Sequence, residues 1–446
     1  MGKTPVPTQE GQQSGAAQGS PSEKRRKFHS LMGQVVDLRR LRAAYEAVRS
    51  NRGEPGVDGV TVDAFGENLE ANLAALVVEL RAQTYRPQPV RRVWIPKPDG
   101  DQRPLGIPAV RDRVVQQAVR QVLEPIFEAD FSSHSHGFRP GRSAFSALRE
   151  LYGQVRDGHV WIVDVDIEKF FDEIPHEPLI EAVAARVADG SVLRLVRLFL
   201  EALIQDGYRL VRPKAGTPQG GVVSPLLANI YLARLDRALE ADGASFVRYA
   251  DDVRLTSRTE AGAREALERT REVLQELGLR LSERKTKLVT LSQGVDFLGY
   301  RLVARKRHLN VWINPKAVER FREEVRRLTR RTAGKSLRAM VSRLNRYVRG
   351  WGEYFKRAEA SGVFDRHDRW ITRRLRAYVA KRWRNGLWRR YPDQYFWFQL
   401  GLTRLYHLRR DFIRELEARR RAGNRPVERS AGNPHATFVR GTEASS

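Results

Sequence analysis

The sequence predicts an α+β fold that gives way to an all-helical C-terminal third, and three observations carry the prediction. Up to about residue 303, stretches with apolar residues three or four apart alternate with short β-rich runs bounded by turn residues. Two of those β-rich runs carry aspartates at their ends, where a buried strand would ordinarily be apolar. After about Arg305 the chain becomes helical in spacing and crowded with Arg. At 446 residues it is too long for one ordinary domain, so two or three packed units are expected.

Residues 1–23 are rich in Gly, Gln, Ser, Thr and Pro without periodicity, and with Lys24-Arg25-Arg26-Lys27 they read as a disordered basic tail over residues 1–30. The four basic residues suit a nucleic-acid contact or simply a solvated cluster. From Leu38 the pattern is helical, and Phe65, Leu69, Leu73, Leu76 and Leu80 predict one helix with a single buried face. Gly53 to Gly59 form a turn-rich loop, and Pro96-Lys97-Pro98-Asp99-Gly100 is the tip of a hairpin that carries Lys97 and Arg103. Val114 to Phe127 returns to helical spacing before a second basic loop, Phe138-Arg139-Pro140-Gly141-Arg142-Ser143. His134 and His136, just before it, read as polar surface rather than as metal ligands.

Chemistry first enters at His159-Val160-Trp161-Ile162-Val163-Asp164-Val165-Asp166, a strand that should be buried yet carries carboxylates. Such burial is costly unless compensated, and a cation is the usual compensation. Phe246 to Thr256 form two short strand-like halves around a tight turn that presents Asp251 and Asp252 side by side. Neighbouring carboxylates repel unless protonated or metal-bound, although a polar β-turn is the competing reading of that pair. Phosphoryl transfer rests on positioning and on neutralising charge at the attacking and leaving oxygens, work suited to two Mg²⁺ roughly 3.5–4 Å apart on hard oxygen ligands. Asp166 from one strand with Asp251 and Asp252 from the hairpin would supply that platform. Asp164 shares the strand parity of Asp166, so alternation alone does not choose between them.

A glycine-rich loop, Gly216-Thr217-Pro218-Gln219-Gly220-Gly221, leads into Val222-Val223-Ser224-Pro225, where Ser224 reads as N-cap and Pro225 as the first residue of a buried helix. Its backbone amides and the Gln219 side chain suit a template or nucleotide contact, and equally a plain turn before a helix.

Composition narrows the class. A net charge of +27 points to a polyanionic partner, nucleic acid before membrane surface. No apolar run approaches the roughly 18 residues needed to span a bilayer, and no signal-peptide stretch opens the chain, so a cytoplasmic, nucleoid-associated bacterial protein is expected. The chain contains no Cys, which excludes disulfides, iron–sulfur clusters and Cys-based zinc modules. In the C-terminal third Arg is interleaved with Trp351, Tyr354, Phe355, Trp370, Tyr378, Trp383 and Trp388. Arg with aromatics can pair phosphates and stack bases, whereas aromatics at helical spacing are core residues in most helices.

Six ordered motifs resemble the group II intron-encoded reverse transcriptases, or maturases, over about residues 35–395. They are Pro55-Gly56-Val57-Asp58-Gly59 with Ile95-Pro96-Lys97-Pro98, Arg103-Pro104-Leu105-Gly106-Ile107-Pro108, Gly137-Phe138-Arg139-Pro140, Asp166 with Phe170-Phe171-Asp172, Thr217-Pro218-Gln219-Gly220-Gly221, and Tyr249-Ala250-Asp251-Asp252. Lys285-Thr286 and Phe297-Leu298-Gly299 follow in the family order. The resemblance implies a right-hand polymerase, with fingers and an antiparallel-sheet palm over 31–303, a helical thumb and maturase domain over 304–395, and a small basic nucleic-acid-binding unit and tail over 396–446. It implies Asp166, Asp251 and Asp252 as the site of two Mg²⁺, with the Ile167 carbonyl as a further ligand, and the spacing to Phe171 decides for Asp166 over Asp164. Phe171 would lie under the sugar and select deoxynucleotides. Lys97 and Arg103 would grip the triphosphate, with Gln219, Tyr249 and Ala250 completing the nucleotide pocket. Lys285 would protonate the leaving pyrophosphate or contact the template.

Leu344 to Phe355 resembles the maturase region of the same family, which implies binding of intron RNA; Glu353 stands where relatives commonly have Asn. Larger relatives add a zinc-dependent endonuclease with Cys pairs, so second-strand cleavage is not expected of this chain. The resulting expectation is an RNA-directed DNA polymerase that acts on an RNA template, a DNA primer or target and dNTPs, and assists intron splicing and retrohoming. A domesticated enzyme of defence, CRISPR adaptation or repair is the second reading, and a non-enzymatic RNA-binding splicing cofactor the third. Oligomeric state is left open by the sequence.

Overall fold

The computed structural model describes residues 26–96, 102–305, 308–330, 332, 334, 336–380 and 387–422. Lys97, Trp383 and residues 1–25 of the expected tail lie outside the described residues, as does the Trp388 side chain. The tail assignment to residue 30 is corrected at Phe28, which bridges to Val187 and hydrogen-bonds its backbone to Arg186 and Ala188 on the body of the protein.

The described strands are β1 (Val90–Pro96), β2 (Gln102–Ile107), β3 (Trp161–Val165), β4 (Ile204–Asp206), β5 (Arg209–Val211), β6 (Ser245–Tyr249), β7 (Asp252–Ser257), β8 (Lys287–Thr290), β9 (Val295–Phe297), β10 (Tyr300–Arg305) and β11 (His308–Ile313). They form three sheets, ordered β2-β1-β4-β5, β6-β7-β3-β8 and β11-β10-β9. The first is the basic hairpin extended by a second hairpin, with Ile95 opposite Arg103. The second is antiparallel throughout and holds both aspartate-bearing runs at its centre.

Alternation explains why that central sheet forms here. Val163, Val165, Val253 and Leu255 point into the main core, against Ala263 and Ala266 of the helix Glu260–Glu276. Ile162 and Val247 point the other way, into a smaller core with Ala144, Ala147 and Leu151 of the helix Ala144–Arg156. Both faces of the sheet are therefore covered, and its strands are apolar except where the face nearest the turn becomes polar.

Two local readings change. The run from Phe65 to Leu80 is two helices, Val62–Glu67 and Leu69–Arg81, because Asn68 at φ −121° and ψ 42° interrupts the helical backbone. Phe65, Leu73, Leu76 and Leu80 are buried all the same, so the apolar periodicity survives the break that Asn68 makes. Ser224 is not an N-cap: Val223 precedes the helix Ser224–Ala241, and the Ser224 hydroxyl donates to the Pro218 carbonyl at 2.9 Å. Tying the glycine-rich loop is its role.

The C-terminal third is a helical unit. Helices Pro315–Leu328, Leu337–Phe355, Ser361–Val379 and Leu405–Arg421 enclose Phe321, Leu344, Trp351, Phe355, Phe364, Ile371, Phe396 and Leu405. Asn314 and Ser336 cap the first two through Lys316 N and Ala339 N. Among the described residues no helix is long and apolar enough to cross a membrane.

Candidate active site

The site grows from the polar end of one face of the central sheet. In the β3–β7 register Asp164 lies opposite Arg254 and Val165 opposite Val253, which carries Asp166 to the level of Asp252. Side chains two apart share a face, so Asp164, Asp166, Asp252 and Arg254 stand together, and Asp251 projects from the turn beside them. The two distant stretches are thus brought to one place. Their charges act on one another: burial raises the Asp251 carboxyl above its usual range, and neighbouring Asp252 and Asp166 raise it further. Burial and the charge of Asp166 also raise Asp252, against the lowering effect of Arg254. Three oxygen-donor carboxylates that repel one another in a half-buried setting suit a divalent cation.

The side chains do not stand as a closed cage. Among the described residues no three His, Asp or Glu side chains are gathered closely enough to hold an ion as they stand. The reason is visible in the pairings. Asp252 is hydrogen-bonded to Arg254, and Asp166 faces Lys285, whose Nζ is 3.6 Å away. The Asp166 backbone is fixed meanwhile, its N–H donating to Thr286 Oγ1 and its carbonyl accepting from Ser282 N at 2.8 Å. Ile167 is buried and bridges to Leu281.

A buried ion-pair network shapes the turn that carries Asp251. Arg248 is fully buried and makes a two-pronged pair with Asp236, at 2.7 and 2.5 Å. Its Nη1 donates to Asn229 Oδ1 and to the Ala250 carbonyl, both at 2.9 Å, and Asn229 Nδ2 donates to the Gly137 carbonyl at 2.8 Å. Ala250 is held at φ 60°, a left-handed conformation that costs an alanine energy and that this network sustains. Gly137 lies against the same turn so closely that a Cβ there would come within 2.3 Å of Ala250 N. Tyr249, buried beside Phe138, completes the packing.

His134 and His136 belong to this scaffold and not to polar surface, which corrects the reading from sequence. His136 is buried, its ring pairs with Glu150 at 2.6 Å and with Ser146 at 2.8 Å, and its backbone N–H donates to the Arg248 carbonyl. His134 pairs with the other Glu150 oxygen, and that hydrogen bond raises its pKa while burial lowers that of His136.

The first sheet is joined to the glycine-rich loop, with Gly106 N donating to the Gln219 carbonyl at 2.6 Å. Arg103 Nε donates to Gln219 Oε1 at 2.8 Å, and Gln219 Nε2 donates to Asp172 at 3.3 Å. Phe171 is half-buried, edge-on to Phe170, and its carbonyl accepts from Thr217 N at 2.7 Å. Gly216 packs on the same backbone: a Cβ would lie 2.7 Å from the Phe171 and Asp172 carbonyls, at a φ of 87°. Of the residues expected from sequence, the structure joins Arg103 to Gln219 and places Lys285 beside Asp166, while the charges of Arg103, Asp166 and Asp252 act on Asp251; Lys97 lies outside the described residues.

Arg248, Asp236, Asn229 and Arg254 were missed in the sequence. Their signal was there to see: an Arg inside an otherwise apolar strand, in Phe246-Val247-Arg248-Tyr249 and again in Val253-Arg254-Leu255, implies a buried partner.

An antiparallel palm sheet that gathers carboxylates from two stretches, beneath a basic hairpin and a glycine-rich loop, defines a template-directed nucleotide polymerase. Residues 95–302 match the family described as reverse transcriptase (RNA-dependent DNA polymerase), and residues 318–396 match the group II intron, maturase-specific domain. Protein YkfC of Escherichia coli is 34% identical over 63% of this chain and 84% of its own length. The group II intron-encoded protein LtrA of Lactococcus lactis is 41% identical over 44% of this chain and 32% of its own. A putative COX1/OXI3 intron 2 protein of Saccharomyces cerevisiae is 35% identical over 47% of this chain and 24% of its own. The chain belongs to the group II intron type of reverse transcriptase, in which a maturase-specific domain follows the polymerase. Its enzyme class is RNA-directed DNA polymerase, a class that works with divalent metal ions and with RNA and DNA. The matched segment spans a third or less of the longer intron-encoded relatives.

Proposed function

We propose that this chain extends a DNA primer on an RNA template, with Asp166, Asp251 and Asp252 as the ligands of two Mg²⁺ and the Ile167 carbonyl as an additional ligand. The observation that carries the reading is the register of β3 against β7, with Asp166 level with Asp252 and Asp251 in the adjoining turn. Bound there, the ions would neutralise charge on the attacking and leaving oxygens. The protein's own part is to hold and orient. Arg103, with Lys97, binds the triphosphate as a cationic grip, and Gln219 is the partner Arg103 gives up when the phosphates arrive. Phe171, with its backbone fixed to the glycine-rich loop, excludes a 2′-hydroxyl. Tyr249 and Ala250 form the floor beside the primer end, and Lys285, close to Asp166, donates a proton to the departing pyrophosphate.

In its biological setting the same chain binds intron RNA through the Arg-rich helical unit and assists splicing and mobility, a reading supported by the maturase-domain match. Primer extension on an RNA template with Mg²⁺ and dNTPs tests the catalytic assignment. The wild type extends the primer, Asp251→Ala loses at least about 10²–10³ in rate while remaining folded, and a wild type without activity overturns it.

A further inference from the structure

Arg254 stands at the base of the carboxylate cluster. It is 5% exposed and cannot leave: Nη2 donates to the Asp296 carbonyl of β9 at 2.9 Å, Nη1 to the Val253 carbonyl at 3.0 Å, and the guanidinium lies 4.9 Å from the Phe297 ring centroid. The same Nη1 reaches two carboxylates, Asp164 at 2.8 Å and Asp252 more closely. One immobile cation is thus shared between a carboxylate outside the proposed ligand set and one inside it.

We infer that Arg254 and Asp164 are a positioning pair that withholds Asp252 from divalent metal and so sets the affinity of the site. This rests on the reading of Asp166, Asp251 and Asp252 as metal ligands. Arg254 engages the Asp252 carboxylate through Nη1. An incoming divalent ion competes with a fixed guanidinium for that carboxylate. Asp164 makes the exchange feasible, because it keeps Arg254 paired once Asp252 has turned away, and a buried guanidinium left without a counter-charge would be costly. The arrangement also lowers the standing charge of the cluster. Asp164 and Asp252 pair with Arg254, and Asp166 lies 3.6 Å from Lys285, so three of the four carboxylates have a cation beside them.

The two members of the pair should act in opposite directions, which a merely structural role would not produce. Removing Arg254 frees Asp252 and tightens the ion. Removing Asp164 leaves Arg254 with Asp252 as its one carboxylate and weakens the ion. The test is Mn²⁺ binding to the full chain, followed by electron paramagnetic resonance without nucleotide or nucleic acid, alongside circular dichroism of each variant. Arg254→Gln should bind Mn²⁺ about tenfold more tightly and Asp164→Asn about tenfold more weakly, the worth of one charge-assisted hydrogen bond. In the Arg254→Gln background, Asp164→Asn should have a much smaller effect. Arg254→Lys, which keeps the charge but loses the planar fork, serves if the glutamine variant does not fold: tighter binding supports the pair, unchanged or weaker binding overturns it.

Single changes that shift affinity in the same direction, or not at all, overturn the inference while leaving the metal site intact. Asp251→Asn separates the two claims. If wild-type Mn²⁺ binding is absent, or survives Asp251→Asn undiminished, the ligand assignment itself fails and the positioning pair falls with it.

Discussion

The central sheet and the C-terminal helical unit use burial in opposite ways. In the sheet and the helices beside it, Arg248, Asp236 and Asn229 are buried as charged or polar groups bonded to one another and to the Ala250 carbonyl, and buried Arg254 is bonded to Asp252 and to the Val253 and Asp296 carbonyls. In the helical unit the interior is aromatic and aliphatic, with Phe321, Trp351, Phe364 and Phe396 at its centre. Its many Arg residues stand mostly at the surface, often paired along a helix, as Arg327 is with Glu324 and Arg369 with Asp365. The difference teaches how each unit uses its polar groups. The sheet fixes the geometry of a few atoms and uses directional bonds to do so, whereas the helical unit leaves its charge at the surface, where the proposed function puts it to work on RNA.

The largest expected effect lies in the sheet. Arg248→Met leaves Asp236 buried without its partner and should lower stability by about 3–5 kcal/mol, measured by chemical denaturation, and abolish primer extension as the Ala250 turn loses its support. Adding Asp236→Leu should restore most of the stability and none of the activity, since the second change removes the orphaned charge without rebuilding the turn. Recovery of both together would mean that the network supports the fold alone.

An intermediate effect lies at a buried charge of the helical unit. Asp368 accepts from Leu405 N at 2.9 Å and Tyr406 N at 3.0 Å, tying the helix Leu405–Arg421 to the helix Ser361–Val379. Burial raises its pKa to about 6, against the lowering effects of those two amides and of Arg404, with Asp365 adding a small rise. A folded-state pKa above the ordinary carboxylate value means that the folded protein takes up this proton first. This group's contribution to stability therefore rises as pH falls through about 6 toward the unfolded value, and by pH 5 it should have gained about 1 kcal/mol relative to pH 7. Asp112, raised to about 6 by burial, acts with the same sign in the N-terminal part. Comparing Asp368→Asn and Asp112→Asn with the wild type by denaturation across that range assigns each share; an unchanged pH slope in Asp368→Asn contradicts the assignment.

The smallest effect on stability falls on the exposed charge. Arg346→Gln with Arg349→Gln, on the outer face of the helix Leu337–Phe355, should change stability by less than about 0.5 kcal/mol. The same pair should reduce the slope of log affinity for RNA against log salt by about one per phosphate contact removed. An unaltered slope would place the RNA elsewhere.

The aspartate-bearing strands, the hairpin and the glycine-rich loop were legible because each is a local pattern whose chemistry is odd for its setting. Asp166 in an apolar strand and Asp251-Asp252 in a tight turn are such patterns, and their meeting needs only that two strands pair. What was not legible depends on partners distant in the chain. Ser224 looks like a helix cap until Pro218 is seen to take its hydroxyl. His136 looks like surface until Glu150 and Ser146 are placed beside it. Asn68 interrupts a periodicity that Phe65 and Leu73 otherwise continue, and the apolar spacing carries no trace of the break. Arg248 and Arg254 pose the opposite difficulty, since a charge within a strand reads as an exposed position when its counter-ion is not in view.

Directed cleavage by Fe²⁺ bound in place of Mg²⁺ probes most directly the claim that two distant stretches share one metal site. With ascorbate and peroxide, radicals formed at the ion should cut the backbone around residues 164–167 and around residues 250–253 in the same molecule population, with both cuts lost in Asp251→Ala. Cleavage confined to one stretch, or at both stretches undiminished by that substitution, would contradict a shared site.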